Sequence, residues 1–186
     1  MNFNKHYDLA GSHAFLGASK YHWVNYSDDK VTSAYLRHLA TQKGTELHEF
    51  ASDCINLKQK LPRSKKSLNA FVNDAIGYRM KSEQVLFYSV NSFGTADAIS
   101  FRDGLLRIHD LKTGVSPVSV KQVEVYAAQF CLEYDINPGE IEMELRIYQL
   151  DEVLVHKPEP KDILEIMNKI VLFDQRLEQL KLELED

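Results

Sequence analysis

The sequence predicts an α/β or α+β domain in which a central mixed β-sheet is flanked by helices. Three observations predict it. Apolar residues recur at helical spacing up to about residue 81. From about 83 to 156 the pattern changes to aromatic and β-branched runs with turn residues between them. A charged amphipathic helix, about 161–185, follows two prolines. At 186 residues a single domain is expected, with an N-terminal helical segment (1–81), a sheet core (83–156) and the C-terminal helix.

Each element has its own signal. Ser27-Asp28-Asp29 caps a helix predicted over Lys30–Thr41. Gly44 separates it from a second helix, Thr45–Leu57, and Pro62 ends that region. Ser67–Lys81 reads as a third helix, with Leu68, Phe71, Val72, Ala75 and Ile76 apolar. Strands follow at Glu83–Val90, Phe93–Phe101 and Leu105–Leu111, the last two joined by an Asp103-Gly104 turn suited to positive φ. Ser119–Tyr134 is helical by spacing. Ile141–Leu150 alternates with period two and leads into a short strand, Val153–His156. Lys161–Glu185 is the last helix.

Composition narrows the function. The 44% hydrophobic content is that of a globular chain. No apolar run approaches the roughly 20 residues of a membrane helix, and the N-terminus lacks a signal pattern, so a cytoplasmic protein without membrane partners is expected. Cys54 and Cys131 are expected as buried free thiols, too few for a four-thiolate zinc or iron–sulfur site. A net charge of −5 gives no global attraction to nucleic acid. Such contact needs a local patch, the best being Lys58–Lys66, or metal ions held by acidic side chains.

Asp97 and Asp110 lie equally far from the Asp103-Gly104 turn, so a two-residue hairpin sets them opposite each other. Opposed carboxylates repel, and a divalent cation between them relieves this. Lys112 projects from the same strand face as Asp110. Carboxylates, a cation and a lysine are what phosphodiester hydrolysis uses: an acidified water, charge relief on the phosphate and a group to orient the attack. The same three residues also fit two hairpin-end aspartates beside a solvated lysine.

The surroundings carry a resemblance. Phe93-Gly94-Thr95-Ala96-Asp97 and Asp110-Leu111-Lys112-Thr113-Gly114 resemble the two core motifs of PD-(D/E)XK nucleases, more narrowly the RecB-type branch. Gly44-Thr45-Glu46-Leu47-His48 resembles that branch's histidine helix motif, and Gln122-x-x-x-Tyr126 its motif after the hairpin. The four occur in the family's order. The resemblance implies a restriction-endonuclease-like αβββαβ core and a stand-alone, phage- or prophage-like DNA exonuclease of recombination or repair. It implies Mg²⁺ or Mn²⁺ bound by His48, Asp97, Asp110 and the Leu111 carbonyl. Lys112 would act on the attacking water, and Gln122 and Tyr126 would position the lysine, the ligands or the DNA. Glu49 and Glu83 are acidic spares, and His109 points to the other face. Weaker matches are Gly11–Ser19 and Trp23; Trp23, Tyr21 and Tyr26 are expected either in core packing or stacked on bases. The alternative is a non-catalytic DNA-binding or protein-interaction module, and the C-terminal helix is a candidate contact for a second copy or a partner.

Overall fold

The computed structural model describes residues 4–9 and 11–185; residues 1–3, the start of the expected N-terminal segment, lie outside the described residues. It is an α/β structure with a five-stranded mixed sheet flanked by helices. The helices are α1 (Asp28–Asn56), α2 (Ser67–Gly77), α3 (Lys121–Glu133) and α4 (Pro160–Glu185). The strands are β1 (Lys81–Ser89), β2 (Ser92–Arg102), β3 (Leu105–Leu111), β4 (Glu142–Gln149) and β5 (Glu152–His156). The chain divides into two compact units, residues 1–45 and 46–186.

In the first unit, a single 3-10 turn at Tyr7–Leu9 and a kinked 3-10 segment at Ala18–Asn25 precede the start of α1. Ser27 caps that start as expected: its Oγ accepts from Lys30 N and its carbonyl from Val31 N. The predicted break at Gly44 is absent, and α1 runs unbroken for 29 residues. One glycine costs a helix about 1 kcal/mol. Good helix formers on both sides, from Ala40 to Lys43 and from Glu46 to Leu47, let propagation carry through it. The third helix is also shorter than predicted. It stops at Gly77 because Arg79 takes a positive φ of 53°, which turns the chain into β1.

In the second unit the strand order is β1-β2-β3-β4-β5. Only β3 and β4 are parallel, as the α3 crossover between them requires. Asp103 and Gly104, with φ of 51° and 75°, make the predicted hairpin turn. The core has two layers. Leu86, Leu106, Ile108, Val123, Ala127, Leu145 and Ile163 pack between the sheet and α3 and α4. Ala51, Cys54, Phe71, Val72, Ala98 and Tyr148 pack between its other face and the end of α1 with α2. Both cysteines are buried and free. No helix among the described residues is long and apolar enough to cross a membrane.

Candidate metal centre

The register of the sheet builds the site. Across β2 and β3, Ala98 faces His109 and Arg102 faces Leu105, the alignment set by the two-residue turn. The next step outward is Asp97 opposite Asp110, where the pairing stops. Across β1 and β2, Ser82 faces Ala98 and Gln84 faces Ala96, so Glu83 stands opposite Asp97, and again the two are not paired. Three carboxylates thus form one row across three strands. Alternation breaks along this row: Ala96 packs in the α3 layer, while Ala98, two residues on, packs in the α1–α2 layer. Glu83 absorbs the change with a φ of 49°. That conformation costs a non-glycine residue on the order of 1–3 kcal/mol and concentrates at functional sites.

Other elements add to the row. His48, on the last turns of α1, sets Nδ1 3.4 Å from Asp97 Oδ2. The other Asp97 contact is fixed by β3, where the Leu111 amide donates to Oδ2 at 2.7 Å. The Lys112 amide donates across to the Tyr148 carbonyl of β4. Carbonyls and the amides that follow them point to opposite sides of an extended strand, so the Leu111 carbonyl is directed toward the Asp97 side. Beyond it, Lys112 Nζ donates to Asp110 Oδ1 (3.1 Å) and Gln122 Oε1 (2.7 Å). Gln122 Nε2 in turn donates to the Tyr126 hydroxyl at 3.1 Å. One line of polar contacts therefore runs Asp110, Lys112, Gln122, Tyr126. The Tyr126 ring lies over Gly94, where an added Cβ would sit 2.8 Å from Cε1; this is the packing that requires glycine three residues before Asp97.

The electrostatics are strained. The Asp97 carboxylate, as acceptor and as charge, raises the His48 pKa against the opposing pull of burial. Burial and then the Asp97 charge raise Asp110, with Lys112 opposing. Desolvation and the Asp97 charge also raise Glu83, although that residue is exposed as a whole. Burial raises Tyr126. Asp110 is 2% exposed, and its Oδ2 lies 3.0 Å from Lys112 Nζ in a direction that makes no hydrogen bond, so among the described residues this buried oxygen has no donor.

These features fit a divalent cation. Ligand atoms of His48, Glu83 and Asp97 lie within 4.8 Å of one another. Carboxylate and carbonyl oxygens suit Mg²⁺ or Mn²⁺, and an imidazole is compatible with Mn²⁺. His48 and Glu83 hold protons more tightly than usual, and a bound cation would displace them. Among the sequence-predicted residues, the structure joins His48 to Asp97 and joins Asp110 to Lys112, Gln122 and Tyr126. Glu83, a spare in the sequence reading, completes the tightest group of ligand atoms, whereas Asp110 is held by the lysine. Glu49 is exposed and lies outside that group. His109 faces away, into the α2 layer beside Tyr148.

An open cavity of about 330 Å³ borders Lys112 and Gln122 and is lined by residues of the 114–119 loop. Gln149 pins that loop through the Gly114 and Ser116 carbonyls. A larger cavity, about 720 Å³, lies near the Asp103-Gly104 turn and touches none of these residues. Comparison with protein-family models found no match to this chain, and comparison with curated proteins and with solved structures found none either.

Proposed function

We propose that this chain is a divalent-metal-dependent deoxyribonuclease with a restriction-endonuclease-like core, of the RecB-type branch of the PD-(D/E)XK nucleases. The observation that carries the reading is the meeting of two sets of groups. One is the crossed row of carboxylates with His48; the other is the line from Asp110 through Lys112 to Gln122 and Tyr126. The order of the four sequence motifs supports it.

His48, Asp97, Asp110 and the Leu111 carbonyl would hold the cation, with Glu83 as a further carboxylate. When bound, Mg²⁺ or Mn²⁺ supplies Lewis-acid polarisation of the scissile phosphate and acidifies water. The chain's own residues do the rest. Lys112 Nζ, held by Asp110 and Gln122, orients the attacking water and offsets charge building on the phosphate. Tyr126 fixes the Gln122 amide, so the lysine head keeps one direction. The loop cations Lys58, Lys60, Arg63, Lys65 and Lys66, all exposed, offer contacts for the DNA backbone. Exonuclease action on DNA ends in recombination or repair is part of the same reading.

The test is digestion of end-labelled single- and double-stranded DNA with Mg²⁺ or Mn²⁺. Asp110→Ala and Lys112→Ala should each lower the rate by roughly 10²–10⁴-fold. Intact, folded protein that binds DNA in a salt-sensitive way but never cleaves it would replace this reading with the non-catalytic module.

A further inference from the structure

The first unit carries a charge opposite to the rest of the chain. Residues 1–45 hold five Lys or Arg against three Asp, whereas 46–186 hold 17 against 24 Asp or Glu. Within that unit lies a cavity of about 330 Å³, at the lower end of the roughly 300–1,000 Å³ typical of ligand pockets.

Two elements build it. Arg37 and His38 line it from α1, on the same helix face as Ala34 and Thr41. Lys20 and Trp23 come from the Ala18–Asn25 segment, Lys20 standing at its kink with a φ of −111°. His13, Ala14, Phe15 and Tyr26 complete the lining, and among the described residues no Asp or Glu contributes. The wall is also preset. Trp23 Nε1 donates to the Gly17 carbonyl at 3.1 Å, fixing the indole. Phe15 backs the His38 ring at 5.4 Å between centroids. Among the described residues, neither Lys20 nor Arg37 has an ion-pair partner.

Fixed aromatic faces beside unpaired cations match a ligand that is flat at one end and anionic at the other. We infer that this cavity is a nucleotide pocket that takes one unpaired base of a DNA strand together with its phosphate. The base stacks against Trp23 or Tyr26, and Arg37 and Lys20 hold the phosphate. The choice of a DNA nucleotide over other aromatic anions rests on the nuclease reading.

Trp23 is the chain's one tryptophan, so it reports directly on the pocket. The experiment titrates the full chain, in EDTA to prevent cleavage, with a short 5′-phosphorylated single-stranded oligonucleotide. Inorganic phosphate and a duplex of the same sequence are titrated in parallel. The expected result is saturable quenching of Trp23 emission by the single strand, competed by dAMP and weak with phosphate alone. Arg37→Gln and Lys20→Gln, checked for native circular dichroism, should each weaken binding about tenfold. If one variant does not fold, the other and the dAMP competition still decide. Absence of quenching, or affinity unchanged in the folded variants, overturns the pocket. Because EDTA removes cleavage from the readout, the titration reports binding alone. Quenching in a chain that never cuts DNA keeps the pocket and sinks the nuclease; cutting without quenching does the reverse.

Discussion

The α-carbon of Gly94 is covered by the Tyr126 ring, and the Tyr126 hydroxyl ends the line of contacts that begins at Asp110. Gly94→Ala puts a methyl group 2.8 Å from Tyr126 Cε1, so the ring must swing away and release Gln122. Overpacking of this kind costs about 1–3 kcal/mol. The expected outcome is a small loss of thermal stability with a fall in kcat of at least about tenfold, while KM for DNA changes little; unchanged kcat would show that Tyr126 does not serve Lys112. The Asp97–Asp110 opposition was legible in the sequence, because a two-residue Asp-Gly turn fixes its register without help, whereas Gly94 stood there only as part of a motif and its contact with Tyr126 did not show. Glu83 was not. A tight turn at Val90-Asn91 would set Ser89 opposite Ser92, as observed, and Glu83 opposite Ala98. An irregularity between Phe87 and Ser89 shifts the register by one residue and brings Glu83 opposite Asp97. Such a shift exchanges the faces of everything beyond it, and nothing in the local residue types announces it.

Among the elements, α4 was legible as an amphipathic helix, but its anchorage was not, since that depends on a hairpin about 85 residues away. Its first half packs Ile163, Ile166, Met167 and Ile170 onto the α3 layer. Its second half holds the β1–β2 turn by polar contacts. Asp174 accepts from Ser89 Oγ and Asn91 Nδ2, Glu178 accepts from Asn91 Nδ2, and Lys181 donates to Asn91 Oδ1. Asn91 is thus the hub, and Leu172, Phe173 and Leu177 beside it stay exposed. Asn91→Ala removes three of these contacts, each worth about 0.5–1.5 kcal/mol. Hydrogen exchange should accelerate in 174–184 while α3 and the sheet keep their protection. Uniform acceleration throughout the second unit would mean instead that the hub supports the whole fold. The merger of the two predicted N-terminal helices into α1 belongs to this scale as well, since cooperativity along a helix outweighs one glycine that looked like a boundary.

For the whole molecule, acid stability turns on the buried polar network of the α2 layer. Tyr148 donates its hydroxyl to Asp74 Oδ2 at 2.7 Å, so at 3.2 Å it accepts from His109 Nδ1–H. That leaves the His109 Nε2 unprotonated, buried and, among the described residues, without a partner. Burial, then the Arg146 and Arg107 charges, push the imidazole from 6.5 down to about 3. A depressed pKa means that the unfolded chain binds a proton between those two values and the folded chain does not. The stability is therefore complete above about pH 6.5, falls as the pH drops, and stops falling near pH 3, with an upper bound of about 5 kcal/mol. His109→Asn keeps an N–H near the Nδ1 position for Tyr148 but cannot titrate, so it separates this effect from that of the carboxylates. Urea midpoints measured from pH 7.5 to 4 should fall less steeply for the variant than for the wild type, even though the smaller side chain makes the variant less stable at pH 7.5. Parallel curves would mean that the buried imidazole is not what couples acid to unfolding. The coupling would then come from a carboxylate whose pKa the fold lowers, such as Glu124, which, against the opposing pull of burial, Lys121 and His156 keep charged, and Glu124→Gln would flatten the curve where His109→Asn would not.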